Sequence, residues 1–157
     1  MARYIIMGTV ALALIEMCAP ACAKVTWRSA SRPYLEVRSN EEETDAALRA
    51  SCGFDRLITI RLGAEHRIGD GKGEAVAIII ESDGKSAKLR GVSKNSPDSE
   101  MTGGIELLTE IPLEDPAVDI LFSGKPVTIT MPNQKRAHLL DADVDRTGRK
   151  FLKRCGA

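Results

Sequence analysis

The chain has 157 residues, and its 22 lysines and arginines cancel its 22 aspartates and glutamates, so no basic excess points to a nucleic-acid partner. Aromatic residues make up 4% of it. Beyond residue 23 they are Trp27, Tyr34, Phe54, Phe122 and Phe151, too scattered for the clustered rings on which bases or sugars stack.

The first residues have the form of a secretory signal: Arg3, an apolar run from Tyr4 to Ile15, and Ala21-Cys22-Ala23 before Lys24. Glu16 interrupts that run, which is shorter than the roughly 20 apolar residues a membrane span needs. No stable membrane anchor is therefore expected after cleavage. Neither Cys18 nor Cys22 stands in a lipoprotein context. The preferred cut follows Ala23; a cut after Ala21, leaving Cys22 at the new N-terminus, is the alternative. Residues 1–23 are then the signal peptide, 24–39 an extended N-terminal arm or edge strand, and 40–157 one β-rich domain, large enough for a real core.

In "NEEETDAALRASCG", Asn40 as N-cap, Glu43 three residues on, acids in the first turn and Gly53 at the end predict a short helix. "RLITIRLG" alternates, with Ile58, Ile60 and Leu62 on one face, and predicts a half-buried strand. "AEHRIGDGKGE" is turn-rich. "EAVAIIIES" predicts a strand whose run Val76 to Ile80 suggests burial on both faces. Asp83-Gly84 then supplies hairpin chemistry, and "SAKLRGV" returns with Lys88 and Arg90 outward.

The polar stretch Ser93 to Gly104 reads as a long exposed loop. "IELLTEIP" suits strand or helix, and Pro112 stops either. Asp115 as N-cap, Pro116 at the first helical position and Gly124 beyond predict a short helix. "KPVTITMPNQKRAHLL" reads as a second hairpin, with Val127, Ile129 and Met131 alternating and Ala137 and Leu139 returning. In "TGRKFLKRCG", Phe151, Leu152 and Cys155 share one side of a final helical turn or two.

Motifs with chemical meaning are few. Asp141, Asp143 and Asp145 alternate before Gly148, but a calcium loop needs glycine at its sixth position and glutamate at its twelfth, where Arg146 and Leu152 stand. "GDGKG", Gly69 to Gly73, lacks the phosphate-loop spacing and precedes a strand, so it reads as a connector. His66 and His138 are too few for a zinc site. No cofactor, metal ligand or catalytic residue is assigned. After cleavage two cysteines remain, Cys52 and Cys155, and export predicts that they form one disulfide. Closing a loop of roughly a hundred residues stabilises by about 4.7 kcal/mol on a chain-entropy argument. The competing reading is two unpaired buried thiols.

The C-terminal third, "VDILFSGKPVTITMPNQKRAHLLDADVDRTGRKFLKRCG", resembles the end of small exported bacterial envelope proteins, the invasion-associated locus B family in particular. In that group a short segment precedes a G-K-x-V type strand, a hairpin follows, and a phenylalanine-bearing helix closes the chain. The likeness covers about a quarter of the sequence, and the paired cysteines of the family's first half are missing, Cys52 standing alone. The resemblance implies a periplasmic β-sandwich or barrel-like domain that acts by binding, and it assigns no functional residue.

The strand signals come as hairpins and the helix signals are short, so the expected fold is mainly β: a single-domain sandwich or small barrel with two or three short helices. The expected function is that of a non-enzymatic periplasmic or secreted binding protein at the bacterial envelope or host surface. Its partner is a protein or envelope polymer, met through the loop of Ser93, Lys94, Asn95, Ser96, Pro97, Asp98 and Glu100. An inhibitor that inserts the same loop into a secreted hydrolase is the alternative; a minor enzyme working through carboxylates is a third possibility.

Overall fold

A computed structural model describes residues 24–29, 33–38, 46–63, 68–97, 104–133, 136–140 and 145–156. Its strands are β1 (Lys24–Ser29), β2 (Pro33–Arg38), β3 (Leu48–Cys52), β4 (Leu57–Leu62), β5 (Lys72–Ser82), β6 (Lys85–Asn95), β7 (Ile105–Pro112), β8 (Val127–Thr130) and β9 (Arg136–Leu140). The helices are α1 (Pro116–Leu121) and α2 (Asp145–Cys155). Among the described residues the strands form one sheet in the order β1-β2-β3-β4-β7-β6-β5-β8-β9, and every neighbouring pair is antiparallel. The sheet curls as a half-barrel.

The mainly-β character and the short helices agree with the sequence reading. The described strands make one layer rather than two packed sheets, because the helices supply the second layer. Leu35, Leu48, Ile58, Ile60, Leu62, Ile78, Ile80, Leu89, Leu107 and Ile129 form the apolar face of the sheet. Ala117, Val118, Ile120, Leu121, Phe122 and Phe151 join them in one core. The rings of Phe122 and Phe151 stack with centroids 5.7 Å apart, so the two helices meet each other as well as the sheet.

Local sequence accounts for several of these elements. Asp115 accepts a hydrogen bond from the backbone N–H of Ala117 at 2.8 Å and Pro116 opens α1, as the capping pattern requires. Asp83 and Gly84 both have positive φ, 50° and 75°, the backbone of a two-residue hairpin turn whose twist suits the strands. Lys88 and Arg90 are exposed, as expected. A Cβ added at Gly91 would collide with the carbonyl oxygen of Leu108, so the absence of a side chain there lets β6 cross close over β7.

Three expectations change. The helix predicted to run to Gly53 is not formed over Leu48–Cys52, which is strand β3, paired with β2 on one side and β4 on the other. Its proposed cap, Asn40 and Glu43, lies outside the described residues. Pairing on both edges outweighs a helix propensity worth a few tenths of a kcal/mol per residue, about 0.7 at most for ordinary residues. The stretch read as an arm or edge strand is a hairpin with β1 at the sheet edge and β2 inside, and Leu35 and Val37 lie in the core. Finally, the run Val76 to Ile80 is not buried on both faces: Ile78 and Ile80 are buried, whereas Ile79 is 42% exposed. Its face of the sheet is turned to solvent.

Cys52 and Cys155 are joined in a disulfide, with Cα atoms 5.4 Å apart and a separation of 103 positions in sequence. The bridge ties the end of β3 to the last turn of α2. Each cysteine was expected at a helix end; Cys155 is at one, and Cys52 ends a strand. Substituting serine at either position is expected to lower unfolding stability by about 2–5 kcal/mol in chemical denaturation. Alkylation of the unreduced, denatured mature protein is expected to label neither thiol.

Candidate functional site

The outer face of the sheet carries its charged residues. Antiparallel register sets Glu36 opposite Arg49 and Arg49 opposite Arg61. β4 pairs with β7 so that Arg61 faces Leu108, which brings Glu106 within diagonal reach. Two arginines directly across from each other repel. Glu106 resolves this, because its Oε2 lies 3.2 Å from Arg49 Nη1 and its Oε1 accepts from Arg61. Gly63 follows β4 and donates its N–H to the carbonyl of Ala47; a Cβ there would press on the carbonyl oxygen of Ala46.

The triad grades from inside to outside. Arg49 is 5% exposed and Glu106 1%, while the Arg61 side chain keeps 34% exposure. Ser96 accepts from Arg49 Nη1 at 3.4 Å, and on the neighbouring β2 the Tyr34 hydroxyl donates to Glu36 at 2.8 Å. Thr59 donates to Glu110 at 3.2 Å. Both oxygens of Glu106 face guanidinium groups, so this carboxylate serves as a bridge between the two arginines.

A second polar arrangement closes the glycine turn before β5. Gly69, Gly71 and Gly73 all have positive φ, and the Glu74 carboxylate accepts from the backbone N–H of Asp70 and, at 3.0 Å, of Lys72. Ser93 accepts from the N–H of Gly71 at 2.8 Å. The stretch read as a connector is thus an ordered turn, and its amides, which in other contexts bind phosphate, are engaged by the chain's own acid. The amide of Asp70 above all, aided by Glu74's own amide and by Ser93 and Lys72, holds the Glu74 carboxyl down at about 2 from its ordinary 4.5.

The loop singled out in the sequence divides. Ser93, Lys94 and Asn95 belong to β6. Ser93 and Ser96 are buried, so they are corrected from exposed binding residues to internal hydrogen-bond partners, of Gly71 and Arg49 respectively. A strand can hold such serines inside because their hydroxyls are satisfied there. Lys94, Asn95 and Pro97 are exposed; Asp98 and Glu100 lie outside the described residues. Asp141, Asp143 and His66 also fall outside them. Asp145 begins α2 and His138 is in β9. Among the described residues no group of three or more His, Cys, Asp and Glu side chains is placed to hold a metal ion.

Arg49, Arg61 and Glu106 were not singled out from sequence. Arg61 alternates with Ile60 and Leu62 and so falls on the polar face of its strand, but the local pattern assigns the segment of Arg49 to a helix and that of Glu106 to strand or helix. The signal was a single charge between apolar neighbours in each segment, Leu48-Arg49-Ala50, Ile60-Arg61-Leu62 and Ile105-Glu106-Leu107; what joins them is the non-local pairing of β4 with β7. Compared with family models, with curated proteins and with solved structures, the chain matches none.

Two outcomes follow from these clusters. Glu106→Ala strands a buried guanidinium and is expected to cost about 3–5 kcal/mol, whereas the paired replacement Arg49→Leu with Glu106→Leu is expected to cost far less, read by urea denaturation. For Glu74 the folded pKa lies below the unfolded one, so its stabilisation is complete above about 4.5 and is lost as pH falls through about 2. NMR titration is expected to place the Glu74 midpoint near 2, and Glu74→Gln to remove that part of the acid dependence.

Proposed function

We propose that this protein is exported to the periplasm or beyond the cell and acts there without catalysis, as a binding protein at the bacterial envelope or host surface. The observation that carries the reading is the Cys52–Cys155 bridge, since such a bond persists in oxidising compartments and is rare in reducing ones. Removal of residues 1–23 as a signal peptide fits with it: Lys24, the first residue of the mature chain on that cut, is already part of β1. The resemblance of the C-terminal third to exported envelope proteins points the same way. Binding through the sheet and its hairpins suits a rigid surface whose charges are held in register, and Lys94, Asn95 and Pro97 remain from the loop first singled out.

Intact mass of the exported protein is expected to correspond to a start at Lys24. Mature protein, immobilised with its disulfide intact, is expected to retain a protein or polymer from a bacterial envelope fraction or from host extract. Recovery of a secreted hydrolase whose activity the protein blocks would replace this reading with the inhibitor alternative, and recovery of nothing from either source would overturn it.

A further inference from the structure

The outer face of β6 presents Lys88, Arg90 and Lys94 in succession, all exposed, and β5 sets the exposed Lys72 directly opposite Lys94. Alternate residues on a strand stand about 7 Å apart, so the three cations of β6 form a straight row roughly 20 Å long. Like charges facing each other across strands destabilise a sheet. At Arg49 and Arg61 the chain answers that repulsion with Glu106. Along β5 and β6 it does not: among the described residues none of Lys72, Lys88, Arg90 and Lys94 makes an ion pair.

Acids do border the row, and each is engaged elsewhere. Glu106, opposite Lys94 in register, is taken by Arg49 and Arg61. Glu74 accepts from backbone amides, Glu81 pairs with Arg136, and Glu110 accepts from Thr59. Between the cations lie Ala75, Ala77 and Val92, small residues that leave the charged side chains accessible. Ile79 is the one large apolar side chain exposed on it among the described residues.

We propose that the outer face of the β5–β6 hairpin is a docking strip for an acidic polysaccharide, whose carboxylate or sulfate groups are met in turn by Lys72, Lys88, Arg90 and Lys94. This deepens the envelope-binding reading and rests on it. A row of cations outside any ion pair, repeating along one hairpin, complements the regularly spaced charges of an extended polyanion. A lipid surface holds a protein more firmly where tryptophan, phenylalanine or leucine insert beside the cations, and single-stranded nucleic acid where aromatic platforms stack its bases; among the described residues the strip has neither. Recognition here is by charge, so it does not need the stacked rings the composition lacks.

The test uses the mature, disulfide-bonded chain at low ionic strength, with polygalacturonate, dextran sulfate and neutral dextran as probes, and vesicles of phosphatidylglycerol or phosphatidylcholine beside them. Binding to both acidic polymers, none to neutral dextran, and steep weakening by salt are expected. Lys88→Gln, Arg90→Gln and Lys94→Gln together are expected to lower affinity by about tenfold or more while melting no lower than the parent. Lys85→Gln with Lys153→Gln, which removes exposed cations off the strip, is expected to change affinity less than about twofold. Equal loss in both variants, no binding to either acidic polymer, or equal binding to phosphatidylglycerol vesicles through the same cations would overturn the strip. If the envelope and host pull-downs return a partner while acidic polymers do not bind, the strip falls alone. If the polymers bind and the pull-downs are empty, the strip stands and the envelope reading falls.

Discussion

A single open sheet has one apolar face that must be kept from water, and here two short helices are available to cover it. The shorter, α1, is bracketed by its own chain, with a capped start and a return directly into β8. The longer, α2, has eleven residues, a length at which an isolated helix is marginal. Most of its residues are charged or polar, and its hold on the core comes from Phe151, with Leu152 and Cys155 packed beside it. The disulfide makes this arrangement secure. It fastens the last helix to a strand in the N-terminal half, and so keeps the apolar faces of β2 to β4 covered.

The other face is shaped by what happens to its charges. Burying an ion pair costs desolvation that its attraction often fails to exceed, so Arg49 and Glu106 are poor instruments of stability. Their value lies in register. A slip of one residue between β3 and β4, or between β4 and β7, would turn Arg49, Arg61 or Glu106 into the core and leave the remaining charges unmatched. The pairing of β4 with β7 spans more than forty residues of intervening chain that includes the β5–β6 hairpin. In that unlocal pairing, a polar triad that fits in one alignment discriminates against the others. This is also why Ser96 is inside: it completes the surroundings of Arg49.

What could be read from the sequence depended on the range of the information. The β5–β6 hairpin, the strand of Ile58, Ile60 and Leu62, and the caps of α1 are written in neighbouring residues, and the structure has them where the local pattern put them. The Cys52–Cys155 pairing was readable for a different reason, since with residues 1–23 read as a signal peptide the count of cysteines falls to two. Leu48–Cys52 was misread because it follows acids that mimic a helix start, whereas its strand character comes from β2 and β4. Ser93 was read as loop because it begins a polar run; its place inside depends on the glycine turn that folds back over it. The charged triad was invisible for the strongest reason. Its three members come from three segments whose adjacency is set by the sheet order, and no local period records that order.

The bridge also fixes a sequence of events in time. Cys52 leaves the ribosome 103 residues ahead of Cys155, an interval of about 5–20 s at common rates of synthesis. Throughout it β3 carries an unspent thiol, with Cys18 and Cys22 the nearest upstream candidates for oxidation. On the cut proposed above, removal of residues 1–23 would take Cys18 and Cys22 away from that thiol and leave Cys155 as its partner.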